Sequence, residues 1–139
     1  MNEKKNKKVL IQYRMDQAHV ALKEAVFLRE NSESTLGAVN RAYYAMFYAV
    51  LALLQHIEKV PHKHTGAISL FDSEFVKKGI FDKKLSSFLH QTFVFRQESD
   101  YHTIEPVSPD KTDEIIKQAS VFVQTVESYL KDTSDGLEV

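Results

Sequence analysis

The stretch of this chain richest in chemistry is Arg96-Gln97-Glu98-Ser99-Asp100-Tyr101-His102. It directly follows the apolar Phe93-Val94-Phe95, so it stands at the edge of a core. An imidazole with an ordinary pKa near 6.5 takes or gives a proton close to neutral pH. A guanidinium holds an oxyanion through its planar fork. The same residues have a plainer reading: Arg96 and Asp100, and likewise Glu98 and His102, lie four apart and can pair along a helix face. His56, His62 and His64 also lie close in sequence. No carboxylate completes a ligand set with them, so no metal site is assigned, and His64-Thr65-Gly66 reads more simply as the cap and turn of a helix. Arg41 precedes the 13-residue apolar run Ala42–Leu54, which sets a charge at the edge of a buried helix. It is expected to pair with an acid such as Glu74 or Asp100, with ligand binding as the alternative. There is no Gly-rich phosphate loop, no G-x-S-x-G elbow and no H-E-x-x-H. The absence of Cys removes disulfides, thiolate catalysis and Cys-ligated metal centres.

The elements that must position these groups read as helices. With 43% apolar residues in 139, the chain can bury one core. Its 4 Gly and 3 Pro are too few turn formers for a many-stranded β fold. A net charge of −1 excludes a strongly basic nucleic-acid coat, though not a local basic patch. A first helix is expected over about 8–30, from Leu10, Tyr13, Ala18, Ala21, Leu22, Ala25 and Leu28 at three- and four-residue steps. A second runs from about Ser34 to Glu58, and a third from about Thr65 to Lys78 with Gly79 as its C-terminal cap. Asp82 reads as the N-cap of a fourth helix, which fades near 101–103. Ser108-Pro109-Asp110 then starts a fifth that runs to about Lys131. The expected architecture is an all-α, up-and-down bundle of about five helices. One domain would span 8–131, with 1–7 and 132–139 polar and frayed. The Lys-rich start (Lys4, Lys5, Lys7, Lys8) is either a solvated helix start or an electrostatic contact for nucleic acid.

The second helix is apolar on every face over Ala42–Leu54, so it needs either a central place in the bundle or a partner subunit. Tyr43, Tyr44 and Tyr48 read as packing aromatics. Tyr43, Phe47, Val50, Leu54, Phe88, Phe93, Phe122 and Val126 are the expected core. The longest apolar run is far short of the roughly 20 residues that span a bilayer. The Lys-rich start lacks the apolar stretch of a signal peptide. No membrane association and a cytoplasmic location are therefore expected.

Arg41-Ala42-Tyr43-Tyr44-Ala45-Met46-Phe47, then His64-Thr65-Gly66, then Arg96 with Asp100-Tyr101, agree in order and approximate spacing with a known pattern. Over about residues 10–130 the chain resembles the HEPN family of small prokaryotic helical bundles, often encoded beside a minimal nucleotidyltransferase. HEPN ribonucleases carry an Arg and a His separated by four to six residues; here five separate Arg96 from His102. The resemblance implies a homodimer in which the two motif-bearing helices meet and form one composite cleft. It implies a toxin that cleaves RNA without a metal or other cofactor, controlled by a nucleotidyltransferase antitoxin. His102 would be the acid/base and Arg96 the electrostatic clamp, with Asp100, Tyr101, Arg41 and His64 as RNA- or nucleotide-binding candidates. Six residues of α-helix turn about 600° and rise about 9 Å, leaving Arg96 and His102 about 120° apart. They converge on one phosphate only if the helix ends before His102 or a second copy supplies the other residue. Gln97 departs from the catalytic pattern, and Ile104 stands where the resemblance implies a Tyr that the antitoxin modifies. They favour the alternative, a non-catalytic HEPN module that docks a nucleotidyltransferase or a nucleotide. A purely structural dimerisation domain is a third reading.

Overall fold

Alanine decides how the first two helices meet. In the computed structural model, which describes residues 2–100 and 107–133 and only the backbone of 98–100, helix α1 spans Asn2–Asn31 and α2 spans Leu36–His56. The face that α1 turns inward carries Ala18, Ala21 and Ala25; that of α2 carries Ala38, Ala42, Ala45, Ala49 and Ala52, all buried. Small side chains let two helix axes approach closely. At Gly37 the contact is so tight that a Cβ would stand 3.1 Å from the Leu28 Cδ1. The two helices run antiparallel, so Glu24 of α1 comes beside Arg41 of α2.

Helix α3 covers His64–Phe71 and widens into a π-helical turn, Asp72–Val76. The turn stacks Phe71, Phe75 and Phe81 on one another, with Phe122 and Tyr129 of the last helix against them. Gly79 closes this segment at φ +78°, a conformation that strains any residue with a Cβ. Helix α4 covers Lys83–Asp100, and α5 covers Pro109–Asp132. Both expected N-caps form. The Asp82 carboxylate accepts from the Lys84 backbone N–H at 2.9 Å, and the Ser108 hydroxyl oxygen accepts from that of Lys111 at 3.1 Å. Helix α5 lies antiparallel to α1, tied by Arg29–Asp113 at 2.7 Å and His19–Glu127 at 2.8 Å. The Thr35 hydroxyl donates to the Val107 carbonyl at 2.6 Å and fixes the approach to α5 at the start of α2.

The fold is all-α, with no strand among the described residues. No helix among them is long and apolar enough to cross a membrane. Differences from the sequence reading are local. The first helix begins at Asn2, so the polar residues 2–7 continue it, with 2–6 exposed and Lys7 half-buried. The third segment is two pieces, because the π turn takes an extra residue to seat Phe75 in the core. Phe88 and Phe93 are only half-buried, while Leu85, Leu89 and Thr92 form the inner face of α4. Helix α2 owes its all-round apolarity to a central position: its own chain covers it, leaving Tyr44, Tyr48 and Leu51 half-exposed. The apolar residues left in water are mostly on α1, where Leu10, Tyr13, Val20 and Phe27 are exposed.

Helix α2 ends in a left-handed cap. The Lys59 N–H reaches the Leu54 carbonyl at 2.9 Å and the Glu58 N–H reaches that of Gln55 at 3.2 Å, with Glu58 at φ 58°. Glycine ordinarily fills this position. Glu58→Gly should therefore raise stability by about 1 kcal/mol, measured by urea unfolding, whereas Glu58→Ala should give no such gain.

Candidate functional site

Helix α2 turns Tyr43 into the core and leaves Tyr44 half-exposed beside it. These two rings organise every described polar candidate. Arg96, on α4, lies with its guanidinium carbon 5.3 Å from the Tyr43 ring centre and 5.2 Å from that of Tyr44. Its Nη2 donates to the Tyr44 hydroxyl oxygen at 3.1 Å. Arg41, one turn before Tyr44, stands 5.2 Å from the same Tyr44 ring. Aromatic faces carry negative quadrupole charge and partly replace the water that a half-buried guanidinium gives up.

His64, the first residue of α3, enters the same group. Its ring stacks on Phe47 at 4.1 Å with 6° between the planes, and its edge meets Tyr44 at 5.8 Å. The Tyr43 hydroxyl and the His64 Nδ1 are 2.7 Å apart. Burial pushes the Tyr43 phenol well above the ordinary tyrosine range, outweighing the opposing pull of Arg96. His64 is held below the ordinary histidine range, first by burial and then by the Arg96 charge. The result is a neutral phenol, a neutral imidazole and a permanent cation held together at the edge of the core.

On the far side of Tyr44, Arg41 borders a groove of about 400 Å³ between α1 and α2, lined also by Tyr13, Val20, Glu24 and Tyr48. The Arg41 Nε is sealed from solvent and makes no hydrogen bond with the described residues; its nearest carboxylate oxygen is that of Glu24 at 3.6 Å. The expected partner Glu74 is instead held by Lys78 at 2.9 Å and Lys59 at 3.7 Å. Glu74 sits within the π turn itself, four residues before Lys78.

Of the residues singled out from sequence, Arg96, Arg41 and His64 come together. Tyr101 and His102 lie outside the described residues, as does the side chain of Asp100, whose backbone belongs to α4. His62 is exposed, and His56 stands edge-on to Tyr129, away from the Tyr43–Tyr44 pair. Sequence reasoning read Tyr43 and Tyr44 as packing only and missed that they hold the cations. The signal was the spacing Arg41-x-x-Tyr44, which sets an arginine and a tyrosine on one helix face.

A family model described as HEPN domain matches residues 11–129. A Thermotoga maritima protein described only as a UPF0332 protein is 35% identical, over 95% of this chain and 97% of its own length. A Methanocaldococcus jannaschii protein carrying the name "Putative toxin" is 33% identical, over 72% of this chain and 68% of its own. A second protein from that organism with the same descriptive name is 34% identical, over 68% of this chain and 70% of its own.

The electrostatics set a pH signature. With a depressed folded-state value, His64 resists the proton that the unfolded chain accepts near pH 6.5. Its contribution to stability is complete above that pH and is lost as the pH falls below it, because the unfolded state then binds more protons. An NMR titration should find His64 protonating below about pH 6.5, and Arg96→Met should move that midpoint upward. A midpoint unmoved by Arg96→Met would contradict the described proximity.

Proposed function

The chain belongs to the HEPN family, and on that premise we propose that it is a HEPN-type toxin: a metal-independent endoribonuclease acting at a composite site of a homodimer and controlled by a nucleotidyltransferase antitoxin. The observation that carries the proposal is Arg96, a cation held half-buried between Tyr43 and Tyr44 in a chain whose next imidazole along is His102. A guanidinium keeps its charge at any ordinary pH, and its planar array of donors suits phosphate oxygens. It suits a reaction in which negative charge grows on a phosphoryl group.

RNA brings its own nucleophile. In the proposed reaction the 2′-oxygen attacks the adjacent phosphorus while His102 takes its proton. The bond from phosphorus to the 5′-oxygen then breaks, and that oxygen takes the proton from the protonated His102, which returns to its neutral form. The products are a 2′,3′-cyclic phosphate end and a 5′-hydroxyl end. Arg96 holds the phosphoryl oxygens, Asp100 and Tyr101 border the substrate, and Arg41 adds positive charge beyond Tyr44. The names of the two archaeal relatives support the toxin reading. The exposed row Leu10, Tyr13, Val20 and Phe27 on α1 supports a second copy, since covering it removes apolar surface from water.

The test is a cleavage assay on single-stranded RNA with the purified protein and EDTA present. The wild type should cleave, and Arg96→Ala and His102→Ala should each lower the rate about 10²–10⁴-fold without unfolding the chain. Mixing the two variants should restore activity if each site draws Arg96 from one protomer and His102 from the other, because the mixed dimer then holds one intact site. Light scattering should give twice the 16.0 kDa chain mass. A wild-type dimer that binds RNA but leaves it intact would overturn the nuclease and leave a binding module that docks a nucleotidyltransferase or a nucleotide.

A further inference from the structure

The Tyr43–His64 hydrogen bond has a direction. Tyr43 is fully buried, and its hydroxyl has no acceptor other than the His64 Nδ1 at 2.7 Å among the described residues. If that nitrogen carried the proton, the phenolic hydrogen would be left buried and unpaired, which costs more than the alternative. The hydroxyl therefore donates, Nδ1 accepts, and the single proton of the neutral ring sits on Nε2. Nε2 itself makes no hydrogen bond to the described residues and is not sealed from solvent. Stacking on Phe47 fixes the plane of the ring, and the Tyr43 bond fixes its rotation within that plane.

Arg96 lies over the same two tyrosine rings that His64 meets. The first turn of α3 is also open. Its N-cap residue Lys63 makes no side-chain capping bond, and a Cβ added at Gly66 would meet nothing within 4 Å. From this arrangement we propose that His64 and Arg96 of one protomer form a two-point phosphodiester-binding subsite, in which His64 is a neutral, orientation-locked Nε2–H donor and Tyr43 is the residue that positions it. The proposal rests on the RNA-cleaving reading for the identity of the phosphodiester. It assigns His64 a role separate from proton transfer, since a ring whose Nδ1 is occupied and whose Nε2 is protonated has no lone pair to act as a base. It also gives a role to the hydroxyl of a fully buried tyrosine. Among the described residues, the titratable and charged groups facing His64 are Tyr43 and Tyr44 of α2 and Arg96 of α4; the permanent charge of Arg96 and the burial of the ring both favour the neutral form.

The test reads the His64 ring nitrogens by long-range proton–nitrogen NMR on the full chain, with a 2′-O-methyl RNA oligonucleotide, which binds but cannot react, as the probe. The Nε2-protonated tautomer is expected between pH 7 and 8, and its resonances should shift as the oligonucleotide is added. Binding of the same labelled oligonucleotide, followed by fluorescence anisotropy, should weaken about three- to tenfold in the double variant Tyr43→Phe with His64→Phe. That variant removes both polar partners together and so leaves no orphan in the core. Tyr43→Phe alone should release the tautomer and weaken binding while keeping every ring in place. An Nδ1-protonated ring, or unchanged affinity in both variants, would overturn the subsite even if the wild type cleaves RNA. If the wild type neither cleaves nor binds RNA, the nuclease reading fails separately. Inorganic phosphate at millimolar concentration then decides the subsite: a shift at the His64 nitrogens sustains an anion site, and no shift overturns it.

Discussion

A guanidinium at the edge of an apolar core loses part of its hydration, and the loss must be made good by something other than water. In this protein the replacement is aromatic. Tyr43 and Tyr44 offer ring faces to Arg96, Tyr44 also stands against Arg41, and the Tyr44 hydroxyl oxygen accepts a hydrogen bond from Arg96. The rest of the bundle depends on keeping those rings where they are. The alanine-lined contact between α1 and α2 places α2 at the centre, and the central position seats Tyr43 at the bottom of the site and Tyr44 at its rim. Helix α3 then needs to begin at His64, because only there does an imidazole meet both Phe47 and the Tyr43 hydroxyl.

The architecture was legible in the sequence because its signals are local. Three- and four-residue apolar steps outlined the helices, Asp82 and Ser108 marked two starts, and Gly79 marked a stop with its positive φ. The start of α1 was less legible. Its first two turns bury nothing, so no apolar stripe reports them, although a helix once nucleated continues through lysine and asparagine at little cost. The π turn was hidden for a different reason: one extra residue in a turn leaves the apolar composition unchanged and shifts only its phase.

The site was half legible. Arg96, Arg41 and His64 stood out as polar residues beside apolar runs, but the sequence could not say that two tyrosines draw them together, because their meeting crosses three helices. The expected Arg41–Glu74 pairing failed on the same ground. Glu74 is taken by Lys78, four residues on, while Arg41 finds Glu24 across the antiparallel contact. Partners on one helix can be counted from spacing; partners across an interface depend on register, which the alanine contact sets. Of the two places open to the apolar α2, a central position or a partner subunit, the bundle supplies the first, and the exposed apolar residues lie mostly on α1.

The central claim is that the aromatic setting makes Arg96 a phosphate clamp. The most direct measurement is the rate of single-stranded RNA cleavage by Arg96→Lys beside wild type, in EDTA and at equal folded concentration. Lysine keeps the positive charge but gives up the planar fork and the stacking on Tyr43 and Tyr44. The account predicts that Arg96→Lys loses nearly as much activity as Arg96→Ala. A lysine variant that cleaves at the wild-type rate would contradict it, since charge alone would then suffice.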